Sequence, residues 1–211
     1  MRTLNIFRTL IIISLIFLST RTFGKEYPKH FINIMEYVLI FEGGFSDILD
    51  DPGGATNFGV TQETYNIYNS KKGLPQKSVK YITLDEVYDC YYRYYYLPAG
   101  CDTLPPAISF VHFDTSVNFG IAGSKRLLLK TFKDQEISKL DSLDKQIALA
   151  YVEVRKNKRY EIVSKNEKKR KFLRGWLNRD NKIQKIIEEY YGIPEEPKIE
   201  QITNLSPIIV L

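Results

Sequence analysis

Apolar residues first recur with helical spacing at Phe31, Ile34, Met35, Val38 and Leu39, the i, i+3, i+4, i+7, i+8 rule of an amphipathic helix over residues 28–42. Glu42 follows Val38 by one turn and Met35 by two, so it falls on the same apolar stripe. Gly43 and Gly44 then end the helix, since glycine takes up the left-handed conformation of a C-cap. The pattern therefore places a carboxylate at the end of an apolar face.

The period is lost over residues 45–60, where Asp51-Pro52, Gly53-Gly54 and Gly59 mark turns and Phe58 with Val60 suits short strands. Thr61 caps a new helix with Gln62 and Glu63 in its first turn, and a linker, NSKKGLPQKS, follows. Thr83 and Glu86 form a capping box that opens a helix through a tyrosine cluster to about residue 97. Pro98, Pro105 and Pro106 break the chain. Further helices are expected over 107–121, from Ser124 to 132, and from Ser142 onward with Leu143, Ile147, Ala150, Tyr151 and Val154 inward. A last one spans 166–191, with a break near Asn178 and a stop at Gly192-Ile193-Pro194. No internal repeat is visible. The class is mainly α (α+β), with one small β-hairpin or turn region after the first helix.

The N-terminus does not belong to that core. Arg2 and Arg8 precede a short apolar stretch, Leu10 to Leu18 apart from Ser14, with small residues Thr22 and Gly24 beyond it. The stretch is short for a membrane span, so residues 1–24 read as a secretory signal, with an uncleaved anchor as the alternative. The protein is then expected outside the cytoplasm, in a periplasm or the medium. Residues 25–103 and 104–193 form the expected folded regions, and 194–211 a tail. Export would permit Cys90 and Cys101 to pair, although two buried free thiols fit equally well.

At 211 residues, 44% hydrophobic and 26% charged, the composition is that of a folded globular chain. Its net charge of +5 is concentrated in residues 155–174, RKNKRYEIVSKNEKKRKFLR. Such a basic face suits an acidic wall polymer or simply a solvated helix surface. Export makes nucleic acid an improbable partner. The isolated His30 and His112 provide no metal-ligand spacing, and no phosphate loop or nucleophile elbow is present. No metal or cofactor is implied.

Glu42 has the setting of a general acid, because burial against apolar groups disfavours the charged form of a carboxyl. A glycosidase needs a second polar group across its cleft. Asp47, Asp50, Asp51 and Thr56 all lie in the following turn region. Asp51 precedes Pro52 and a Gly-Gly reversal, which biases it to an extended backbone pointing across the cleft. Asp114 and Asn118 share a helix face one turn apart. They could contact a glycan, although a structural role is favoured for Asp114.

The string EGGFSDILDDPGGATNFGVT resembles the motif of glycoside hydrolase family 108 muramidases. Two further stretches, YDCYYRYYYLPAGCDTLPPAISFVHFDTSVNFG and KFLRGWLNR, are similar to that family's later motifs. The resemblance spans residues 31–179. It implies a lysozyme-like helical fold and cleavage of peptidoglycan strands after N-acetylmuramic acid. It makes Glu42 the catalytic acid and residues 104–193 a peptidoglycan-binding region. A looser similarity to phage-type lysozymes gives Asp51 and Thr56 as the assisting pair, with Asp47 and Asp50 competing for the role; Asn57, Asp114 and Asn118 are candidate substrate contacts. Two departures stand out: Tyr96 replaces a usual Trp, and LLLKTF replaces a Leu-Gln pair. A lytic transglycosylase and a non-catalytic wall-binding or secretion-assisting protein are the competing expectations.

Overall fold

The computed structural model describes residues 26–47, 54–134 and 144–191. The N-terminal segment, the turn residues Asp50 and Asp51, the Gly192-Ile193-Pro194 stop and the tail all lie outside these. Helix α1 (Lys29–Glu42) buries Phe31, Ile34, Met35, Tyr37 and Val38. Fully removing one such side chain from water contributes about 1.5–3 kcal/mol, so this stripe is the main reason the helix docks. Gly43, at φ 69°, ends it. Strands β1 (Thr56–Asn57) and β2 (Val60–Thr61) pair antiparallel, with Thr56 opposite Thr61 and Asn57 opposite Val60. The two turn residues, Phe58 (φ 49°) and Gly59 (φ 73°), are both left-handed, as a tight hairpin requires. Ser46 exchanges two backbone hydrogen bonds of 2.8 Å with Thr56. The chain leaving α1 is thereby tied to the hairpin.

Helix α2 (Gln62–Lys71) starts as expected, with the Thr61 side chain accepting from the Thr64 amide. Helix α3 (Leu84–Tyr91) has a complete Thr83/Glu86 capping box. It widens into a π-helical segment, Tyr92–Tyr96, before a final turn over Leu97–Ala99. Tyr96 is buried, stacked on Tyr92 and edge-on to Phe31 and Phe113. Helix α4 (Pro106–Asp134) changes direction at Gly120 (φ 71°, ψ 164°), which accounts for the two helices read from the sequence. Helices α5 (Asp144–Lys165) and α6 (Arg170–Tyr190) complete the described fold.

The break expected near Asn178 does not occur. Asn178 is on the exposed side of α6, while Asp180, Ile183 and Ile187 keep a continuous buried face. A poor helix former on a solvated face is carried by the packing of the opposite one. One core joins Phe31 and Met35 of α1, Phe110 and Phe113 of α4, Tyr151 of α5, and Ile183 and Ile187 of α6. Cys90 and Cys101 are free and buried, and burial pushes the Cys90 thiol up to about 12. His112 is a satisfied core histidine, bonded to the Tyr151 hydroxyl at 3.0 Å and the Ala99 carbonyl at 3.2 Å.

Candidate active site

Glu42 reaches the C-terminal end of α1 with its side chain 18% exposed, and Arg179 of α6 meets it there. The Arg179 Nη2 lies 2.7 Å from Glu42 Oε1 and 2.6 Å from Asp114 Oδ1. Its Nε donates a further bond of 2.9 Å to Asp114. One guanidinium thus bridges two carboxylates, a geometry that a planar fork of donors suits and an ammonium does not. The Arg179 side chain is only 14% exposed and lies 5.0 Å from the centre of the Phe41 ring. Burial works against its charge, but Asp114 and Glu42 more than offset this and raise its pKa.

The contact continues inward. Asp114 Oδ2 accepts from Arg155 at 2.7 Å, and Arg155 reaches Asp180 at 2.7 Å. Asp180 is also bonded by Arg159, through Nε at 2.5 Å and Nη2 at 3.0 Å. Three acids therefore alternate with three arginines, in the order Glu42 of α1, Arg179 of α6, Asp114 of α4, Arg155 of α5, Asp180 of α6 and Arg159 of α5. Buried charges are tolerated because each meets an opposite one with hydrogen-bonding geometry. Burial alone would push the Asp114 carboxyl up. Arg179 and Arg155 outweigh it and hold that carboxyl at about 2.

The other wall is the hairpin turn. A Cβ at Gly59 would lie 2.7 Å from Glu42 Oε2 and 2.3 Å from the Tyr91 hydroxyl. Only a glycine lets the turn approach the carboxyl so closely, and the left-handed φ there favours glycine independently. The Tyr91 hydroxyl donates to the Phe58 carbonyl at 3.0 Å, which holds the turn in place. Burial, and next the charge of Glu42, drive the Tyr91 pKa well up, so its hydroxyl stays protonated. Glu42 is thus held through Oε1 while Oε2 lies against a glycine.

The expected site residues divide. Glu42, Asp114 and Asn118 come together, with Asp114 reaching Glu42 through Arg179 and Asn118 donating to the Asp114 carbonyl at 2.9 Å. Asp114 is fully buried and both its oxygens are engaged by arginines. It supports the site and offers no face to a glycan. Asn57 is 6% exposed and points away, its amide donating to the Val79 and Lys80 carbonyls at 3.3 and 3.1 Å. It pins the hairpin and has no amide donor left for a substrate. Thr56 lies in β1, part-exposed, and Asp47 is exposed beyond Ser46. Asp50 and Asp51 fall outside the described residues.

The basic segment is also redistributed. Arg155 and Arg159 are buried in the ladder of charges. Lys156 pairs with Glu153, Lys158 and Lys165 with Glu161, and Arg170 with Glu167. Among the described residues, the exposed charge of this segment without such a carboxylate contracts to Lys168, Lys169, Lys171 and Arg174. Arg179, Arg155, Arg159 and Asp180 were not singled out by sequence reasoning. Arg179 alone had a signal, as the last residue of KFLRGWLNR.

Residues 35–120 match the model of a family described as glycosyl hydrolase 108. Among solved structures, the chain is similar to that titled "Structure of Brucella abortus SagA", at 23% identity and a TM-score of 0.60. The likeness covers 78% of this chain and 97% of that one. It establishes a shared fold. No curated protein matches the chain.

Proposed function

Starting from the membership of residues 35–120 in the glycosyl hydrolase 108 family, we propose that this peptidoglycan-directed glycoside hydrolase is an N-acetylmuramidase with Glu42 as its general acid. The observation that carries the reading is the carboxyl of Glu42, at the open end of α1, clamped by Arg179 on one side and fitted against Gly59 on the other. Arg179 and the Gly59 turn together hold the carboxyl in a single orientation, and such positioning is what proton donation to a glycosidic oxygen needs. As the proton leaves, negative charge grows on Glu42 beside the Arg179 guanidinium, which is in place to stabilise it. Asp51 is the assisting carboxylate in this proposal, holding water or stabilising the oxocarbenium-like sugar, and Thr56 of β1 assists it. The bond broken joins N-acetylmuramic acid to N-acetylglucosamine, and the protein works on the wall outside the cytoplasm.

The test is mass spectrometry of the fragments released from purified walls. Hydrolysis adds one water to each fragment, whereas an anhydro product without it would identify a transglycosylase. Glu42→Gln keeps the shape of the side chain but has no acidic proton, and its release of fragments should fall by at least about a hundredfold. Activity close to wild type would remove Glu42 from the mechanism.

A further inference from the structure

The hairpin that walls the site is too short to hold its own shape. Strands β1 and β2 supply two residues each, and Phe58-Gly59 is the turn between them. A two-stranded hairpin standing alone is marginal in water even when it is longer. A two-residue turn with positive φ at both positions is met without strain by Asn-Gly or Gly-Gly. Gly59 meets it freely at φ 73°, but Phe58 is held at φ 49°. Among the described residues, Phe58 is the one non-glycine residue with positive φ. A Cβ is crowded by backbone there, and phenylalanine lacks the local side-chain hydrogen bonds that let asparagine tolerate the region. Such a conformation persists only where the surroundings enforce it, and it clusters at functional sites.

The base of the hairpin is tied down by the Ser46–Thr56 pair, by the Gln62 amide on the Ala55 carbonyl at 2.9 Å, and by the Asn57 side chain. None of these contacts reaches the tip. The Tyr91 hydroxyl does, donating to the Phe58 carbonyl itself at 3.0 Å. Tyr91 is the last residue of α3 and only 1% exposed. Its ring lies edge-on to Phe113 at 6.0 Å and tilted against Tyr95 at 5.6 Å. A donor on a ring locked by packing acts at one fixed point.

We propose that Tyr91 is a positioning residue for the reaction: its hydroxyl latches the Phe58 carbonyl and so keeps a strained turn seated on Glu42. This rests on the assignment of Glu42 as the general acid. The seat is close, since a Cβ on Gly59 would lie 2.7 Å from Glu42 Oε2 and 2.8 Å from its Cγ. Gly59 follows Phe58 directly, so any relaxation of φ at Phe58 swings the surface on which the carboxyl rests. Loss of the latch therefore disturbs the orientation of the acid and leaves substrate affinity alone.

Tyr91→Phe removes the hydroxyl and keeps the ring. In the full-length protein, kcat on soluble glycan strands, per folded molecule, should fall by about fivefold to tenfold with KM within about twofold of wild type. Hydrogen exchange at the Thr56 and Gln62 amides, on either side of the turn, should quicken. Phe58→Asn supplies the decisive background, because asparagine accepts the left-handed region. There, removal of the Tyr91 hydroxyl should lower kcat by less than about twofold, since the turn no longer needs its latch. An equal loss in both backgrounds would overturn the latch and leave Tyr91 a packing residue. An unaltered kcat in Tyr91→Phe, with the wild type active, would overturn it as well. A wild type that releases no fragments from walls would remove the muramidase reading instead. Exchange alone then decides the latch: quickening in Tyr91→Phe that Phe58→Asn abolishes upholds it, and unaltered exchange overturns it.

Discussion

At Gly59, one missing methyl group sets the distance between the hairpin and the carboxyl of Glu42. In Gly59→Ala, the new Cβ would overlap the Tyr91 hydroxyl and Glu42 in a backbone conformation that alanine resists. The conformational cost alone is about 1–2 kcal/mol, which lowers Tm by about 2–8 °C for a chain of this size. Turnover should fall more than that loss of folded protein explains, by about tenfold or more, because the displaced group is the proposed acid. Wild-type turnover per folded molecule would mean that the turn does not position Glu42. Arg179 is the complementary case. Arg179→Lys keeps the charge but cannot fork across Glu42 and Asp114 together. It should remain folded with turnover reduced by at least about tenfold, compared at matched fractions of native protein by thermal melt and wall assay.

At the scale of elements, the Thr83/Glu86 capping box, the Thr61 cap, the glycine stop of α1 and its apolar stripe were legible because each is a local rule over a few residues. The hairpin was legible as a turn region, and the change of direction in α4 as two helices with a glycine between. The buried ladder was not. Arg155 and Arg159 stand in a run of ten cations, and only the approach of Asp114 and Asp180 from two other helices distinguishes them from their solvated neighbours. Asn57 misled for a similar reason. It belongs to a catalytic-looking motif, yet its amide is needed to hold the hairpin to the carbonyls of residues 79 and 80. Motifs record which residues a site requires without separating those that touch substrate from those that hold the frame.

For the whole molecule, the buried titrating groups set an acid limit in two stages. His112 and His30 are depressed by burial to about 4 from 6.5. Below pH 6.5 the unfolded chain takes up protons that the folded one refuses. Their stabilising contribution is thus complete above 6.5 and is lost as pH falls towards 4, on the order of 3 kcal/mol for His112. Asp114, at about 2 against 3.8, adds on the order of 2 kcal/mol that is present above pH 4 and lost between about 4 and 2. Denaturant titrations across this range should show both slopes. His112→Gln should lessen the upper slope to the His30 share and leave the lower, and an unchanged upper slope would assign it elsewhere.

The clamp on Glu42 also has a bearing on when the enzyme becomes active. The acid comes from the first helix of the described fold and its cation from the last, so an emerging chain holds the former long before the latter exists. Contacts between distant segments form late in folding because closing the long loop between them comes at an entropic cost. On the proposed role of Glu42, a hydrolase built this way should stay inert until α6 docks. Refolding experiments should find wall-cleaving activity returning in step with Trp176 emission, after most helical signal has already recovered. Activity that returned ahead of the tryptophan would show that the acid is competent without its clamp.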